Sequence, residues 1–367
     1  YRKLCVIFCH LSNFTKRRNF FCSVKKFHRL IPFYSDFRNS CFGNSRFATA
    51  NIVYFSVKRN ILQKNLNFSR PVIYSTHFVC IFAVNLFANM KIKEIIDALE
   101  IFAPLPLQDG FDNAGLQVGL TDVEATGALL CLDVTEEVVE EAINQGINLI
   151  ISHHPLMFRG YKSITGKDYT ERCIMTAIKN EIAIYSMHTN LDNTPNGVNY
   201  KIAEKIGLKN VTVLDPKEYM QQEDGCKNDT GDRKMPEWLT AGAGAIGELE
   251  EPMTETEFLK HVKKTFETGC VKHTKLTGRL ITKVAICGGA GAFLMEKAVK
   301  QHADAFVTGE IKYHDYFYYE DKILAAEIGH YESEQYTKEI IQDLLNRKFP
   351  SLRTELTRIN TNPIKYL

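Results

Sequence analysis

The chain has 367 residues, enough for one large domain or two ordinary ones, and its formal net charge is +2. That near balance conceals a split, because residues 1–89 carry fourteen Lys and Arg but one acid, Asp36, whereas the remainder carries 31 basic and 42 acidic residues. The apolar run 78–88 is too short to span a bilayer and contains Asn85, so no membrane segment is expected.

The first 89 residues differ in kind from the rest. They hold fourteen of the 23 Phe and no Met, and the first Met is Met90. Three interpretations compete: an acid-poor organellar transit peptide, a basic arm that binds nucleic acid, or upstream sequence read in frame ahead of a start at Met90. The missing Met and the lack of a steady helical or strand period favour the third. Residues 1–89 are therefore predicted to be a spurious upstream or leader segment without order, and nothing else in the sequence indicates a nucleic-acid partner.

The five cysteines after Met90 are scattered singly, and none forms a Cys-x-x-Cys pair. Isolated thiols of this kind suit a reducing cytosol, where most act as small buried apolar residues. The sequence therefore predicts a cytoplasmic protein.

Regular hydrophobic patterning begins at Met90. Apolar residues that recur every three or four positions predict a first helix within 90–105, which Pro104 ends. Strands that alternate with helices of ten or so residues predict an α/β fold with a parallel or mixed sheet, covered on both faces. The predicted strands are 125–135, 147–154 and 182–192, the last running into a loop, and the predicted helices between them are 136–146 and 171–181.

The pattern dissolves in residues 213–240, which are polar, charged and interrupted by Gly and Pro. We interpret this stretch as a linker loop. It separates a first α/β lobe, 90–212, from a second, 241–367, whose last segment could pack back on the first.

The second lobe repeats the pattern of the first. At a constant offset of 156 residues, the segment 127–154 aligns with 283–310. Chance similarity between any two βαβ units is the alternative explanation. Further on, at an offset of 142, two His-x-x-x-acid motifs align: His188 with Asp192, and His330 with Glu334.

Histidines and acids follow the predicted strands where a binding site is expected. In open α/β sheets, ligands lie beyond the carboxyl ends of the strands. Imidazole and carboxylate without thiolate suit Zn, Mn, Fe or Co better than a structural zinc site of the cysteine type. A lone His at a strand end is more often solvated or hydrogen-bonded, but several such ends in one chain favour a metal site. The candidate residues are His153, His154, His188, Asp192, His330 and Glu334.

The adjacent histidines in "INLIISHHPL" (147–156) suggest that two ions are bound. Neighbouring strand residues point to opposite faces, so one packing surface cannot accept both rings. His153 and His154 can instead serve different ions, and a carboxylate can bridge two ions that lie about 3.5–4 Å apart.

Two glycine-containing motifs leave alternatives open. "CGGAGAF" (287–293) lacks the full G-x-G-x-x-G spacing, so a tight strand-to-helix turn is favoured over an anion-binding loop. In "DNAGLQVG" (112–119), Asp112 and Asn113 could cap a turn or could support the metal ligands from outside.

Six motifs together resemble a known family: "DNAGLQVG", "SHHPLMFRG", "HTNLDNTPNGVN", "CGGAGAFL", "TGEIKYHD" and "GHYESEQ". They cover essentially all of 90–367 and resemble the GTP cyclohydrolase I type 2 homologues, also called NIF-three-like proteins. Glu310 stands where many relatives have Asp, and the stretch near 213–240 replaces a small inserted domain of longer relatives, so the chain resembles the short form. The resemblance implies that His188 lines the site and that the metal ligands are His153, His154, Asp192, His330 and Glu334.

The same resemblance implies two α/β lobes that face each other across a dinuclear metal cleft, with two divalent ions per subunit. It also implies a homohexamer built as a trimer of dimers. Two functions are consistent with it. The first is a metal-dependent hydrolase that opens the GTP ring or cleaves a phosphoester, and the second is a non-catalytic metal-binding assembly that acts as a metallochaperone or an interaction scaffold. The sequence contains no P-loop and no evident purine pocket.

Overall fold

The computed structural model describes residues 90–217 and 241–367, together with the backbone of two short strands. These strands, β1 (Val53–Phe55) and β2 (Phe78–Cys80), pair antiparallel within a separate unit, Tyr1–Ala88. Apart from them, the predicted disorder of residues 1–89 concerns residues that lie outside the described part of the chain.

The first half of the larger unit alternates strands with helices that have clear sequence signals for their ends. In the helix α2 below, the Thr135 side chain accepts the N–H of Val138 at the start, and Gly146, with a φ of 66°, ends the helix in the left-handed region. The elements are α1 (Ile92–Phe102), β3 (Gly115–Val118), β4 (Ala128–Cys131), α2 (Glu136–Gln145), β5 (Leu149–Ser152), α3 (Tyr169–Lys179), β6 (Ala183–Ser186), α4 (Thr189–Asn193) and α5 (Val198–Ile206).

The second half repeats this order after two long strands. A capping box between Thr254 and Glu257 begins the helix α6 below. The elements are β7 (Lys209–Pro216), β8 (Gly242–Thr254), α6 (Glu255–Thr265), β9 (Lys272–His273), β10 (Leu280–Cys287), α7 (Met295–Lys300), β11 (Ala305–Thr308), α8 (Tyr313–Tyr319), β12 (Leu324–Glu327), α9 (His330–Glu334), α10 (Thr337–Lys348) and β13 (Thr354–Leu356).

The strands form two mixed sheets, in the orders β13-β4-β5-β6-β3 and β7-β8-β10-β11-β12-β9. In each sheet three consecutive strands run parallel, and the strand that precedes them in the chain returns to the far edge and pairs antiparallel. The prediction of two similar α/β lobes with mixed sheets is therefore confirmed.

Each lobe also contributes a strand to the other sheet. β7 follows the first lobe but pairs with β8 at the edge of the second sheet, and β13 follows the second lobe but pairs parallel with β4 in the first. The two sheets are thus tied by chain crossings in both directions.

A shared core fills the space between the sheets. Alternate strand residues point to opposite faces: Leu130 of β4 packs in the large central cluster with Val284 of β10, whereas the neighbouring Leu129 packs in a separate outer cluster. The helices α1, α5, α6 and α10 bury their apolar faces in the central cluster, while α2 and α3 cover the outer face of the first sheet. None of the helices in the described ranges is long and apolar enough to cross a bilayer.

Several predicted boundaries differ from the structure: the strands predicted at 125–135 and 147–154 are shorter, and the helix predicted at 171–181 lies two residues earlier. β6 ends at Ser186, and the loop predicted after it contains the helix α4. Residues 213–216, assigned to the polar linker, are the end of β7, and residues 218–240 of that linker lie outside the described part. The strands β6 and β12 begin at Ala183 and Leu324, which are 141 positions apart. The aligned histidines, His188 and His330, are 142 positions apart, so the second histidine lies one residue further from the start of its strand than the first.

Candidate metal centre

Short helices after β6 and β12 bring the two His-x-x-x-acid motifs into one cluster. His188 immediately precedes α4, which contains Asp192, and α9 begins at His330 and ends at Glu334. Residues four apart on a helix lie on the same face, one turn from each other. Gly329, at a φ of +97°, provides the sharp entry into α9.

One group of ligand atoms surrounds the fully buried ring of His153. Its Nε2 lies 3.8 Å from Oδ1 of Asp192 and 3.7 Å from Oε1 of Glu334. Its Nδ1 lies 2.8 Å from the carbonyl of Met187, and because a carbonyl can only accept, Nδ1 carries the hydrogen and Nε2 keeps a lone pair. Nε2 of His153 and Oδ1 of Asp192 are buried and have no hydrogen-bond partner among the described residues.

A second group surrounds His154. Its Nε2 lies 3.0 Å from Oε2 of Glu334 and 3.3 Å from Nε2 of His330, which itself is 3.2 Å from the same Oε2. The side chain of Glu334 therefore presents one oxygen to each group. Nitrogen and oxygen donors that converge this closely, with two buried atoms left without a partner, fit a metal ion in each group.

The predicted ligands thus come together, although the local reason given for the adjacent histidines was wrong. β5 ends at Ser152, so His153 and His154 lie beyond the strand, and their ring centroids are only 4.9 Å apart. The two rings reach different groups because their Nδ1 atoms are anchored differently, one by Met187 and the other by Asp133.

In each of the four histidines of the cluster, Nδ1 contacts an oxygen of the protein. Such partners fix the ring orientation and direct Nε2 towards a ligand. The pairs are His153 with the carbonyl of Met187, His154 with Asp133, His188 with Asp112 and His330 with Glu310, at 2.7 to 2.8 Å.

These contacts place Asp112 behind His188 and reveal a residue that the sequence analysis missed. Asp112 accepts from His188 and from the N–H and hydroxyl of Thr189, so it supports the cluster from outside. Asp133 was not identified as a candidate. It follows the strand β4, and the rule that selected the histidines, that ligands lie beyond the carboxyl ends of strands, could have selected it too.

The electrostatics of the cluster favour ionised Glu334 and neutral His153. Burial lowers the pKa of His153, and burial together with the charge of Glu334 raises the pKa of Asp192 well above its usual range. Burial opposes ionisation of Glu334, but its contacts with three imidazoles hold its pKa well below the usual range. Burial also opposes protonation of His154 and His330, yet carboxylate partners raise their pKa values to about 10 and about 9. Protons on these rings would leave when a metal binds.

The glycine motif after β10 makes room for the shared carboxylate. Gly289 has a φ of +59°, and a Cβ placed there would collide with Oε1 of Glu334. Its N–H donates to the hydroxyl of Ser333 at 3.0 Å, so it is already used within the protein. The motif is the tight turn that the sequence analysis favoured.

Two exposed phenylalanines flank the cluster on the side of His188. The Phe158 ring centroid lies 5.9 Å from that of His188, edge to face, and 6.3 Å from that of Phe111. Phe111 is 65% exposed and Phe158 is 49% exposed. An apolar aromatic surface is therefore accessible beside the cluster.

Comparisons with known proteins agree with this architecture. A protein of Clostridium perfringens named GTP cyclohydrolase 1 type 2 homolog is 35% identical over 246 residues, which cover 67% of this chain and 87% of that protein. A protein of Staphylococcus aureus with the same name is 29% identical over an alignment that covers 76% of this chain and 100% of its own. That alignment spans 370 positions, so the relative contains residues that this chain lacks, in agreement with a short form.

Solved structures give the same result. The crystal structure of Staphylococcus aureus protein SA1388 has a TM-score of 0.67 and 31% identity, and the match covers 76% of this chain and 100% of that one. A Bacillus cereus protein related to NIF3 has a TM-score of 0.66 and 26% identity over the same shares of the two chains. Residues 90–363 match the family described as Duf34/NIF3 (NGG1p interacting factor 3), and the chain belongs to that family.

Proposed function

We propose that the protein is a dinuclear metal-dependent hydrolase. The observation that carries the proposal is the position of Glu334, whose two carboxylate oxygens face two separate groups of ligand atoms. We assign His153 and Asp192 to one ion, and His154 and His330 to the other, with Glu334 as the bridge. Zn, Mn, Fe and Co all accept such ligands.

The chain's own residues have distinct roles in this proposal. Divalent ions held by such ligands supply a nucleophilic water near neutral pH and polarise a carbonyl or phosphoryl oxygen. His188 lies beside both proposed sites, with its ring centroid 5.3 Å from that of His153 and 5.5 Å from that of His154. Because its Nδ1 is taken by Asp112, Nε2 is the nitrogen that can accept a proton or contact a substrate.

The exposed aromatic surface supports a substrate with a planar ring. Phe111 and Phe158 offer apolar ring faces and edges next to His188, and aromatic side chains stack well on heterocyclic bases. The relatives named GTP cyclohydrolase 1 type 2 homolog make opening of the GTP ring the first reaction to test, and phosphoester hydrolysis the second.

Turnover tests the proposal directly. The purified chain, loaded in turn with Mn, Zn, Fe or Co, is assayed against GTP, other nucleotides and simple phosphoesters. Glu334→Gln serves as the inactive variant, and Glu339→Gln, which changes a partly exposed acid of α10, serves as its matched control. Turnover that disappears only in Glu334→Gln supports the hydrolase.

Two other outcomes would count against a hydrolase. Equal activity in both variants would show that the turnover does not arise at this cluster. Two bound ions without turnover of any compound would favour the non-catalytic metallochaperone or scaffold.

Substitution of the aromatic surface separates the two substrate classes. Phe158→Ala should weaken binding of GTP much more than binding of a phosphoester without a ring, because only the former can use the ring face. Phe317→Ala, at a residue that is 64% exposed on α8, is the matched control. An equal effect of Phe158→Ala on both compounds would remove the argument for a planar substrate.

The proposal also covers the oligomeric state of the protein and its cellular compartment. The family resemblance supports a cytoplasmic homohexamer arranged as a trimer of dimers. Light scattering on the purified chain measures the number of subunits directly, and a monomer would refute this part of the proposal.

A further inference from the structure

The segment that follows β13, residues 357–366, runs from the first lobe to the second and is called the crossing segment below. It begins where β13 pairs with β4, and the Thr357 hydroxyl donates to Glu141 of α2, also in the first lobe. Further on, the Asn362 side chain donates to Glu332 of α9 in the second lobe, at 3.1 Å. The crossing segment therefore contacts both lobes beside the proposed metal ligands.

Within this segment, Thr361 contacts a residue that holds a proposed ligand. The Thr361 hydroxyl donates to Oδ2 of Asp133 at 2.7 Å, and Oδ1 of Asp133 lies 2.7 Å from Nδ1 of His154. Nε2 of His154 then lies 3.0 Å from Oε2 of Glu334. A continuous line of short contacts thus joins the crossing segment to the bridging carboxylate.

The end of the crossing segment contacts the second lobe through Tyr366, which remains 43% exposed. The Tyr366 ring lies against Gly269, where a Cβ would approach the ring to 2.7 Å, and its hydroxyl lies next to Gly329 at the start of α9. Glu332, which accepts from Asn362, is buried and lies two residues before Glu334. These contacts attach the end of the crossing segment to the second lobe.

We propose that the crossing segment positions the metal centre, with Thr361 as a positioning residue that acts through Asp133 on His154. The proposal rests on the dinuclear centre described under the proposed function. Asp133 uses one oxygen for His154, and without a donor on the other oxygen its carboxylate can rotate away from the imidazole. Loss of the Thr361 hydroxyl should therefore weaken the ion bound by His154 and His330, and leave the ion bound by His153 and Asp192 unchanged.

Three substitutions in the full chain test this inference. Thr361→Val removes the hydroxyl and keeps the shape of the side chain, and Thr361→Ser restores the hydroxyl. Thr354→Val, in β13 and outside the crossing segment, removes a hydroxyl that donates to Asn346 at 2.8 Å and serves as the matched control. Dissociation constants for Co²⁺ are measured by competition with a chelator, and the visible absorption spectrum of bound Co²⁺ reports the geometry of each site.

The expected result is a change at one site only. In Thr361→Val, one of the two Co²⁺ ions should bind roughly three- to tenfold more weakly. This loss is smaller than the about 10- to 100-fold loss of affinity that follows when a residue hydrogen-bonded directly to a metal ligand is removed. Its absorption band should also shift. Thr361→Ser and Thr354→Val should both match the unsubstituted chain.

Several results would overturn the proposal. The role of Thr361 is refuted, and the dinuclear centre is not, if the unsubstituted chain binds two ions and Thr361→Val binds them equally well. The proposal also fails if Thr361→Ser is as weak as Thr361→Val, or if Thr354→Val is equally affected, because the hydroxyl of Thr361 would then not be the cause. If the unsubstituted chain binds no pair of ions, the dinuclear centre falls first and this inference falls with it.

Discussion

Replacing Glu334 should remove both metal ions, whereas replacing His330 should remove mainly one. Each proposed ion has two ligands of its own plus one oxygen of Glu334. Glu334→Ala therefore leaves two protein ligands at each position, while catalytic metal sites usually keep three. His330→Ala leaves the group around His153 and Asp192 complete.

The size of the effect follows from the structure. Loss of a partner that only orients a ligand costs about 10- to 100-fold in metal affinity, so loss of a direct ligand should cost at least about 100-fold. The Glu334 side chain is only 4% exposed, so water enters the vacated space only after local rearrangement and cannot fully replace the carboxylate. After extensive dialysis we expect two ions per chain in the unsubstituted protein, about one in His330→Ala and close to none in Glu334→Ala.

Elemental analysis of the dialysed proteins measures these numbers. Glu339→Ala is the matched control, since Glu339 is a partly exposed acid on α10 that pairs with Lys201 and Lys205. Two tightly bound ions in Glu334→Ala would refute the bridging role. Two ions in both His153→Ala and His154→Ala would refute the ligand assignment as a whole.

Two further predictions concern residues that are not proposed to bind metal. Gly289→Ala should lower the metal content measured by elemental analysis, because its Cβ would collide with Glu334. Gly146→Ala, at a similar positive φ with nothing within 4 Å, should only reduce the free energy of unfolding by about 1–2 kcal/mol. Equal metal loss in both variants would contradict the steric argument. A protein that begins at Met90 should fold, bind metal and melt as the full chain does, since the family match covers 90–363, and failure to fold would show that the earlier residues are needed.

The sequence predicts the secondary structure best where the signals are local. Helix α2 lies within one residue of its predicted bounds, because a Thr side chain and a left-handed Gly mark its two ends. The prediction of a loop after β6 is less accurate, because α4 has only five residues and is too short to show a helical period. The helix matters for the site, because it gives His188 and Asp192 their one-turn separation.

Contacts between distant residues could not be predicted from one sequence. Thr361 and Asp133 are 228 positions apart, and neither lies in a pattern that indicates the other. The exchange of β7 and β13 between the sheets is of the same kind, since the polar and apolar residues of an edge strand do not specify which sheet it joins. The six candidate residues of the cluster could be selected because strand ends are a local feature.

The distribution of ligands between the lobes leads to a last prediction, on cooperativity. The first lobe supplies His153, His154 and Asp192, and the second supplies His330 and Glu334, so each proposed ion needs residues from both. Because β7 and β13 also cross between the sheets, neither lobe can unfold without disturbing the other.

Metal should therefore stabilise residues 90–367 as one unit. An ion that binds only the folded state adds about 2.7 kcal/mol when its free concentration is 100 times its dissociation constant. In calorimetry, added metal should move a single unfolding transition to higher temperature, and Glu334→Ala should abolish that shift. If metal raised only one of two separate transitions, the ions would be held by one lobe alone, and the assignment of ligands across the two lobes would be wrong.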